Sequence, residues 1–449
     1  MAGLENLDIR LTRIAIIGAG WAGLSAAVEL ANAGHKVDVF EAARHLGGRA
    51  RRVSRGGVDF DNGQHVLLGA CRETLRLIRL AGGNPDRLLL RIPLELTYPG
   101  EFSLLTPAGL PAPLHLAAAL AFARGLTWRD RIAATRFMMG LHIRRFRVEP
   151  DISVAAFLDA TRQTARVRKY LWEPLCVAAL NTAPSEASAS TFATVLRDAL
   201  TGARRHSDLL IPQVDLSRVF PDLAARFVEA RAGVIRLGAA VTGLAATPDG
   251  LILRFDDRES LFDRVICAAP PRQARDFLDG TSPAEHALRD VMGRFEYEPI
   301  VTCYLQYPQE VRLPRPMIGM SGAIGQWAFD RGALGGPRGL LAVVVSAAGR
   351  LRGLEGQVLA HAIQDELQCV LGPLPDSLSH WVITEKRATF KCTPGLARPH
   401  TRTIIKGLYL AGDHVANAYP ATLEGAVRTG VAAATALRRD SPHTADTKN

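Results

Sequence analysis

The stretch Arg13–Gly23, RIAIIGAGWAG, decides the fold of this chain. The apolar run Ile14–Ile17 leads into a glycine-rich turn, and the alanine-rich stretch Leu24–Ala33 follows. A second apolar run, Val37–Phe40, then ends on Glu41. This order predicts a strand, a tight glycine turn, a helix and a second strand that ends on an acid. It is the pattern of a dinucleotide-binding βαβ unit.

Each glycine of the turn has a separate expected role. Gly18 permits the tight turn, Gly20 lets the backbone approach a pyrophosphate, and Gly23 lets the helix pack on the strand. The helix N-terminus offers N–H groups and a positive dipole end to the phosphates. Glu41 is placed to accept hydrogen bonds from a ribose. We therefore predict dinucleotide contacts from Gly18, Ala19, Gly20, Trp21, Ala22, Gly23 and Glu41, with an ordinary glycine-containing βα turn as the alternative.

The composition indicates a globular protein of 449 residues, 48% hydrophobic and 22% charged, with room for two large domains or an inserted lobe. The net charge of +10 fits an anionic surface such as lipid headgroups, or an arginine-biased genome, which we prefer. No zinc-finger spacing or aromatic-interleaved basic stretch points to nucleic acid. The six cysteines form no CxxC pair, so we predict no metal site and a cytoplasmic protein. Peripheral contact with the inner face of the cytoplasmic membrane stays open.

A basic segment, residues 131–147, alternates apolar and cationic positions at near-helical spacing. Such a helix could dock on a membrane by apolar insertion and attraction to headgroups. The alternative is a solvated helix with one side facing the core, which we prefer. No stretch has eighteen uninterrupted apolar residues, so no transmembrane helix is predicted.

A second glycine motif, Gly47-Gly48-Arg49, follows the acid at Glu41. Paired glycines suit a loop that passes close to a pyrophosphate, and Arg49 is placed to neutralise it. The combination of GxGxAG, an acid and Arg-x-x-Gly-Gly-Arg resembles the flavoprotein superfamily of amine oxidases, phytoene desaturases and Rab-escort proteins. The resemblance implies an FAD-binding Rossmann-like, doubly wound α/β domain with an inserted lobe of helices and a mixed sheet. Cys392 lies closer to Gly412 than does the cysteine that tethers flavin covalently in monoamine oxidases, so we predict non-covalent FAD.

The same resemblance extends the cofactor site to distant segments. It implies cofactor contacts from Ala42 and Arg44, and contacts near the pyrophosphate from Gly48 and Arg49. A loop beside the flavin ring would contain Gly63, Gln64 and His65, and Val241 would contact adenine. The closing motif, Gly407 to Gly425, implies contacts from Gly412, Asp413, Thr422, Leu423 and Glu424.

The pattern along the chain predicts an interrupted nucleotide domain. We expect FAD-binding parts at 1–86, 233–273 and 390–438. A helical substrate lobe is expected at 87–232, and a substrate-domain sheet and helix at 274–389. Residues 251–255 are predicted to form an edge strand, and residues 153–180 a helical stretch capped by Ser153. The tail, 439–449, is polar and predicted to be disordered.

Three further sequence segments make the family resemblance more specific. They are Phe60–Gly69, Leu171–Leu175 with Ala179–Thr182, and Phe390–Gly395. These phrases are similar to the squalene-associated FAD-dependent desaturases, also called hydroxysqualene dehydroxylases, of bacterial hopanoid synthesis. The similarity implies a long apolar isoprenoid substrate, reduction of hydroxysqualene to squalene and consumption of reduced flavin.

This chemistry needs a proton donor for the leaving hydroxyl and a setting that tolerates a delocalised cation. Tyr419, beside the flavin-side helix, is the preferred aromatic, ahead of Trp172, Trp327 and Trp381. His65 and Glu173 are the candidate proton donors inside the family-like phrases. For Glu173 a salt-bridged helix end is the alternative, and we prefer it.

Three other functions stay open. A flavin amine oxidase is weakened because no lysine occurs between Lys169 and Lys386. A carotenoid-type desaturase shares the long apolar pocket, and a prenyl-chain binder shares the fold. No second GxGxxG and no ferredoxin-like cysteine set identifies the electron donor, which stays unassigned.

Overall fold

A computed structural model describes residues 12–440, except residues 281, 323, 352, 354 and 355. Of the predicted tail, residues 439 and 440 belong to the last helix, and residues 441–449 lie outside the described part. The strands in chain order are β1 Ile14–Ile17, β2 Val37–Glu41, β3 Arg52–Arg55, β4 Val58–Asp61, β5 Leu67–Leu68, β6 Leu89–Ile92, β7 Glu95–Tyr98, β8 Phe102–Leu105, β9 Leu209–Pro212, β10 Val234–Leu237, β11 Gly243–Thr247, β12 Gly250–Arg254, β13 Glu259–Phe262, β14 Arg264–Cys267, β15 Tyr297–Gln306, β16 Met317–Gly319, β17 Trp327–Asp330, β18 Leu340–Val345, β19 Ser379–Phe390 and β20 Leu408–Leu410.

The helices lie between these strands. Short 3₁₀ turns occur at Arg204–His206 and Ala348–Leu351, and a π turn at Arg168–Trp172. The α-helices are α1 Trp21–Asn32, α2 Arg72–Leu80, α3 Pro85–Leu88, α4 Leu114–Ala121, α5 Trp128–Ile143, α6 Val154–Ala160, α7 Ala165–Val167, α8 Glu173–Leu180, α9 Ala189–Leu200, α10 Leu216–Val219, α11 Pro221–Glu229, α12 Pro271–Phe277, α13 Pro283–Gly293, α14 Gly356–Leu371 and α15 Leu423–Asp440.

A parallel sheet carries the glycine turn. Its strand order is β10–β2–β1–β14–β20, and every neighbouring pair is parallel. Alternate residues of β1 point to opposite faces, as the period of a strand requires. Ile14 and Ile16 pack with α1, α11 and α15, whereas Ala15 and Ile17 pack with β12, α12 and α13. The α/β class and the Rossmann-like sheet are therefore confirmed.

The predicted edge strand at 251–255 is wrong in its position. The observed strand, β12, lies between β11 and β13 in a three-stranded antiparallel sheet. Leu251 and Leu253 are fully buried against the parallel sheet, and hairpins on both sides supply the pairing partners. Both edges of β12 are therefore satisfied, and this small sheet covers one face of the nucleotide domain.

A second large sheet has the order β16–β17–β18–β15–β19. Its described pairs are antiparallel throughout, so the expected mixed sheet is wrong in this detail. The short connections between β16, β17 and β18 bring each strand back beside the last, which gives antiparallel pairing. Cys303 and Leu305 pack under α14, while Tyr304 and Val344 on the opposite face join the core of the helical lobe.

Helices α4 to α9 form that lobe. The predicted helical stretch 153–180 is broken into α6, α7, a π turn and α8, because Arg162 adopts a φ of +54° after α6 and Thr164 caps α7. The predicted cap at Ser153 is confirmed, since its hydroxyl accepts from Ala156 N–H at 3.2 Å.

Candidate functional site

The turn between β1 and α1 needs its glycines. Gly18 has a φ of +98°, which side chains rarely allow, and its N–H donates to Phe40 O at 2.7 Å. A Cβ at Gly23 would lie 1.9 Å from Gly18 O. Helix α1 can therefore pack on the turn only with glycine at position 23.

The N-terminus of α1 is open to an anion. Its cap residue, Gly20, has no side chain that could cap the helix, and the first turn carries no acidic residue. Gly47 N–H donates to Ala19 O at 2.9 Å, and a Cβ at Gly48 would lie 3.2 Å from Gly20 Cα. Two backbone segments and a positive helix end thus form a narrow cradle without intruding side chains. This cradle fits the pyrophosphate of a dinucleotide.

Glu41 lies at the edge of this cradle. Its two carboxylate oxygens accept from Ala19 N–H at 2.7 Å and Ala43 N–H at 2.9 Å. The chain leaving β10 runs beside it, because Ala239 N–H donates to Glu41 O at 2.9 Å. Val241 follows and is buried in the cluster that contains Phe40. The acid and the predicted adenine segment are therefore neighbours.

The Trp21 side chain packs away from the cradle, and two other predicted contact residues are exposed. The Trp21 indole N–H donates to Ala50 O at 3.0 Å, and its ring packs on Phe220 at a centroid distance of 5.3 Å. Ala42 and Arg44 are exposed at the end of β2. A dinucleotide in the cradle would meet the backbone of Trp21, whereas Ala42 and Arg44 could contact it only from the surface.

The pair Arg49–Asp413 joins the second glycine motif to the closing motif. Arg49 Nη2 lies 2.6 Å from Asp413 Oδ1, although 364 positions separate the residues, and Arg49 Nη1 donates to Ala388 O at 3.0 Å. Burial raises the pKa of the Asp413 carboxyl, but the Arg49 guanidinium and the neighbouring His414 ring together outweigh burial and hold the pKa well below its usual range. The carboxylate therefore stays ionised beside the cradle.

His414 was not among the residues predicted from the sequence. Its ring is 2% exposed, and neither ring nitrogen has a hydrogen-bond partner within the described chain. Its Nδ1 lies 3.8 Å from Asp413 Oδ1, beyond hydrogen-bonding distance. A Cβ at Gly412 would lie 2.5 Å from this ring. Buried, unpartnered polar atoms beside a backbone without a side chain fit a site that receives a polar group.

Arg398, also missed from the sequence, holds the loop between β20 and α15. No local pattern distinguishes it in an arginine-rich chain, although it lies close to the Phe390–Gly395 phrase. Its guanidinium donates to five main-chain carbonyls: Val415 O at 2.7 Å, Tyr419 O at 2.7 Å, Asn417 O at 3.1 Å, His414 O at 3.4 Å and Asp413 O. One side chain thus fixes the whole loop.

Helix α15 begins with a defined cap, and the carboxylate in its first turn is already hydrogen-bonded to another helix. Thr422 Oγ1 accepts from Gly425 N–H at 3.1 Å, and Leu423 begins the helix. The Glu424 carboxylate is 1% exposed and accepts from Thr74 N–H at 3.0 Å and Thr74 Oγ1 at 2.7 Å, which caps α2. The Glu424 side chain is therefore committed to α2, and only its backbone remains for a cofactor.

Tyr419 is buried at the end of the loop. Its hydroxyl donates to Asp198 and accepts from Arg428 Nη2 at 3.1 Å, and the Arg428 guanidinium lies 4.1 Å from the ring centroid. Burial, together with Asp198, raises the pKa of the phenol above its ordinary value. The phenol proton is therefore held by Asp198 rather than offered to a ligand.

The predicted flavin-ring loop rests on the second sheet. Gln64 N–H donates to Thr302 Oγ1 at 3.4 Å, and its side-chain oxygen accepts from Arg331 Nη1 at 2.9 Å. His65 Nδ1 lies 2.6 Å from Gly63 O, so Nδ1 carries the proton. Burial lowers the pKa of His65. The neutral ring thus keeps Nε2 as an acceptor at neutral pH.

Asp61, immediately before this loop, is a buried acid that sequence reasoning did not select. Its Oδ1 accepts from Leu216 N–H at 2.7 Å, and its own carbonyl accepts from Tyr304 Oη at 3.0 Å. Burial raises the pKa of the Asp61 carboxyl to about 7. Asp61 lies in the family-like segment Phe60–Gly69, so the sequence does point to its neighbourhood. Its burial, however, results from the packing of α10 and β15, which the local sequence does not show.

Glu173 lies in the helical lobe, at the start of α8. Its Oε1 accepts from Arg168 Nε at 2.8 Å, and a third of its side chain is exposed. This is the salt-bridged helix end, so Glu173 is left out of the chemistry below. Trp172 donates from its indole N–H to Gln163 at 2.8 Å, inside the lobe.

Trp381 and Trp327 lie on the second sheet. Trp381 packs on Phe60 at a centroid distance of 4.9 Å, and Phe60 packs on Tyr304 at 4.6 Å. Trp327 packs on Tyr98 at 5.8 Å. These rings belong to the apolar cluster that also contains Ala421, just before α15.

Comparison with known proteins identifies the family. A model of flavin containing amine oxidoreductases matches residues 21–438. The chain is 30% identical to the hydroxysqualene dehydroxylase of Rhodopseudomonas palustris, over 93% of this chain and 96% of that protein. It belongs to the hydroxysqualene dehydroxylase family. As a member of this family of flavin oxidoreductases it is an FAD-dependent oxidoreductase, and the cradle described above fits FAD.

Two further similarities extend the comparison. The chain is 25% identical to the 15-cis-phytoene desaturase of Synechococcus elongatus, over 95% of each protein. The structure of an oxidoreductase from Methanosarcina mazei aligns with a TM-score of 0.72 and 17% identity, over 94% of this chain and 100% of that one. At that identity the structural similarity supports the fold alone. Within the described residues, no group of three or more His, Cys, Asp or Glu side chains could hold a metal ion.

Proposed function

We propose that this hydroxysqualene dehydroxylase family member reduces hydroxysqualene to squalene, in the squalene supply for hopanoid synthesis. In this reaction the C–O bond of the allylic hydroxyl breaks and a hydride adds to the carbon. A proton joins the departing hydroxyl to give water, and reduced FAD is oxidised. An external donor, still unassigned, would reduce the FAD again.

The observation that carries this proposal is the extent of the similarity to the Rhodopseudomonas palustris enzyme. The alignment covers 93% of this chain and is not confined to the nucleotide-binding motifs. It therefore includes most of the lobe that would bind the substrate. A large apolar cluster lies between this lobe and the second sheet, and its side chains would give a long hydrocarbon chain apolar surroundings.

We propose that the chain holds FAD non-covalently. When bound in its reduced form, FAD supplies the hydride from N5. The backbone of the glycine cradle would bind the pyrophosphate, Glu41 the ribose, and Arg49 and Asp413 the region beside them. The proposed contact residues are Gly18, Ala19, Gly20, Trp21, Ala22, Gly23, Glu41, Ala42, Arg44, Gly48, Arg49, Gly63, Gln64, His65, Val241, Gly412, Asp413, Thr422 and Leu423, with Glu424 through its backbone.

For proton delivery we propose His65. Its Nδ1–H is fixed on Gly63 O, so the protonated ring would present Nε2–H to the leaving hydroxyl. The lowered pKa of His65 makes the imidazolium scarce at neutral pH but more acidic when formed. The ring of Tyr419 is proposed to support cationic charge by the face opposite the Arg428 guanidinium, since its hydroxyl is bonded to Asp198. Asp61 is proposed as a positioning residue behind the loop.

A carotenoid-type desaturase is the second candidate, and the 25% identity to phytoene desaturase favours it. The two functions differ in the direction of hydride flow, which residue types do not report. An amine oxidase is less favoured because no lysine lies between Lys169 and Lys386. A prenyl-chain binder would not need the open helix end, the paired glycines and the buried Arg49–Asp413 pair.

The test is a pair of anaerobic incubations analysed by mass spectrometry. The reduced holoenzyme is given hydroxysqualene, and the oxidised holoenzyme is given phytoene. The proposal expects squalene from the first incubation and unchanged phytoene from the second. Dehydrogenated phytoene with unchanged hydroxysqualene would favour the desaturase instead.

A further inference from the structure

Helix α5 carries apolar side chains on two opposite faces. Ala134, Phe137 and Leu141 are buried in the core of the helical lobe. Trp128, Ile132, Met139 and Ile143 are exposed, and Ile143 is 78% accessible. Their spacings of four, seven and four residues keep them on one side of a helix, away from the buried face. The expected solvated helix with one core-facing side accounts for the buried apolar residues, but it does not account for the exposed ones.

The end of α4 extends this exposed stripe. Phe122, which is 83% exposed, directly follows α4, and Leu114 is exposed at its start. Arg131 Nη2 donates to Ala123 O at 2.8 Å and so holds the end of α4 against the first turns of α5. We define the α4–α5 patch as Leu114, Phe122, Trp128, Ile132, Met139 and Ile143.

The patch is a concentration of exposed apolar groups rather than a random scatter. Eight of the fourteen large apolar side chains exposed in the described part of the chain lie between Leu105 and Ile143. Single exposed apolar residues are normal on a protein surface, but a contiguous set marks a site of interaction.

The charged residues of the segment that carries the patch, residues 114–147, are almost all positive. Residues 114–147 contain seven arginines and one acid, Asp130, which is buried and bonded to Thr127 and Thr164. None of these arginines forms an ion pair within the described residues. Those exposed on and after the two helices are Arg124, Arg129, Arg136, Arg144, Arg145 and Arg147. Unpaired guanidinium groups around an apolar stripe complement anionic headgroups over an acyl layer.

The opposite face of α5 leads towards the candidate site. Phe137 packs on Trp172 at a centroid distance of 4.8 Å, and both belong to the apolar cluster that contains Phe390 and Ala421. The apolar core of the lobe therefore lies on the opposite side of α5 from the patch. No described helix is long and apolar enough to span a bilayer.

We propose that the α4–α5 patch docks the protein on the surface of an anionic lipid bilayer, with the apolar stripe inserted and the arginines on the headgroups. The purpose of such docking, access to an isoprenoid dissolved in the bilayer, rests on the proposed function. The docking itself rests only on the patch and its charges.

The test is co-sedimentation of the holoenzyme with vesicles of phosphatidylcholine, alone or mixed with phosphatidylglycerol. The wild type is expected to sediment with the anionic vesicles and to be released by salt. A triple variant, Phe122→Ser, Met139→Ser and Ile143→Ser, is expected to lose at least tenfold in partitioning. The matched control carries serine at three exposed apolar positions outside the patch: Val358→Ser, Leu378→Ser and Ile404→Ser. It should bind as the wild type does.

A second variant tests the charges. Arg136→Gln, Arg144→Gln and Arg147→Gln together should abolish the preference for anionic vesicles. Wild-type protein that stays in the supernatant, or a serine variant of the patch that binds normally, would overturn the proposal. So would a wild-type dimer, without lipid binding, that the patch variant converts to a monomer in sedimentation velocity.

Turnover in detergent separates this proposal from the proposed function. The patch variant should retain its flavin absorbance and should reduce hydroxysqualene in detergent as fast as the wild type. Vesicle binding without any hydroxysqualene turnover would leave the docking intact and refute the proposed function.

Discussion

Substituting Gly23 by alanine tests the packing of α1 on the glycine turn. The new Cβ would lie 1.9 Å from Gly18 O, whereas ordinary contact begins at 3.4 Å. The turn and the helix would therefore have to separate by about 1.5 Å. Overpacking of this kind costs about 1–3 kcal/mol, and alanine returns about 1 kcal/mol of helix propensity. We expect the variant, in its apo form, to lose between about 0 and about 2 kcal/mol of stability.

The same displacement should weaken FAD binding, since it moves the backbone that would cradle the pyrophosphate. A loss of about 1.4 kcal/mol corresponds to a tenfold increase in Kd, and we expect at least that. Stability is measured by urea unfolding of the apoprotein, and Kd by titration of the apoprotein with FAD. Gly140→Ala is the matched control, because Gly140 lies in α5 with nothing within 4 Å of its ideal Cβ.

The control should gain about 0.5–1 kcal/mol from helix propensity and leave FAD affinity unchanged. A Gly23→Ala protein as stable as Gly140→Ala, with the wild-type Kd for FAD, would refute the reasoning. It would mean that α1 does not approach the turn as closely as described.

Three further predictions concern residues around the site. Arg398→Met removes the donors to five carbonyls of the loop before α15, so FAD affinity should fall at least tenfold in the same titration. Asp61→Asn keeps the acceptor for Leu216 N–H but cannot ionise. Because the folded pKa of about 7 exceeds the ordinary aspartate value, the wild type should lose about 2–3 kcal/mol of unfolding free energy between about pH 5 and about pH 8, relative to this variant. Single-turnover dehydroxylation by the wild type should slow as pH rises through the lowered pKa of His65, and His65→Asn should remove this dependence.

Each of these predictions has a result that contradicts it. For the loop, Arg258→Met at an exposed turn is the control, and equal FAD affinities in the two variants would exclude the role of Arg398. For Asp61, parallel unfolding free energies of wild type and variant across the pH range would exclude a raised pKa. For His65, an unchanged pH profile in the asparagine variant would assign the proton to another group.

Local patterns in the sequence were sufficient for the first βαβ unit. The four-residue apolar run, the glycine spacing and the acid at Glu41 all act within thirty residues, so period and turn chemistry determine them. The family resemblance then implied a Rossmann-like, doubly wound domain, and β1, β2, β10, β14 and β20 form its parallel sheet. The flavin family followed from motifs that the sequence displays directly.

Contacts between distant residues were not predictable in this way. Glu424 reads as part of a flavin-side helix start, yet its carboxylate caps α2, 350 positions away. Arg398 and Asp61 acquire their roles from the elements packed against them. The strand at 251–255 was placed at an edge because its pairing partners are not visible from its own sequence.

Helix α5 also combines a pattern that the sequence shows with contacts that only the structure shows. Its near-helical alternation of apolar and cationic residues is visible in the sequence. Which apolar face is buried depends on Phe137 meeting Trp172 and Phe157 in the folded lobe. Only the structure separates the core-facing set from the exposed stripe, and only then does the second stripe require a partner.

The most direct test of the proposed reaction follows the flavin and the product together. The reduced holoenzyme is mixed anaerobically with hydroxysqualene, and flavin absorbance and squalene are measured in the same samples. We expect the flavin to be reoxidised as squalene forms, with one mole of squalene for each mole of flavin reoxidised. Flavin that stays reduced in the presence of hydroxysqualene, with no squalene formed, would contradict it.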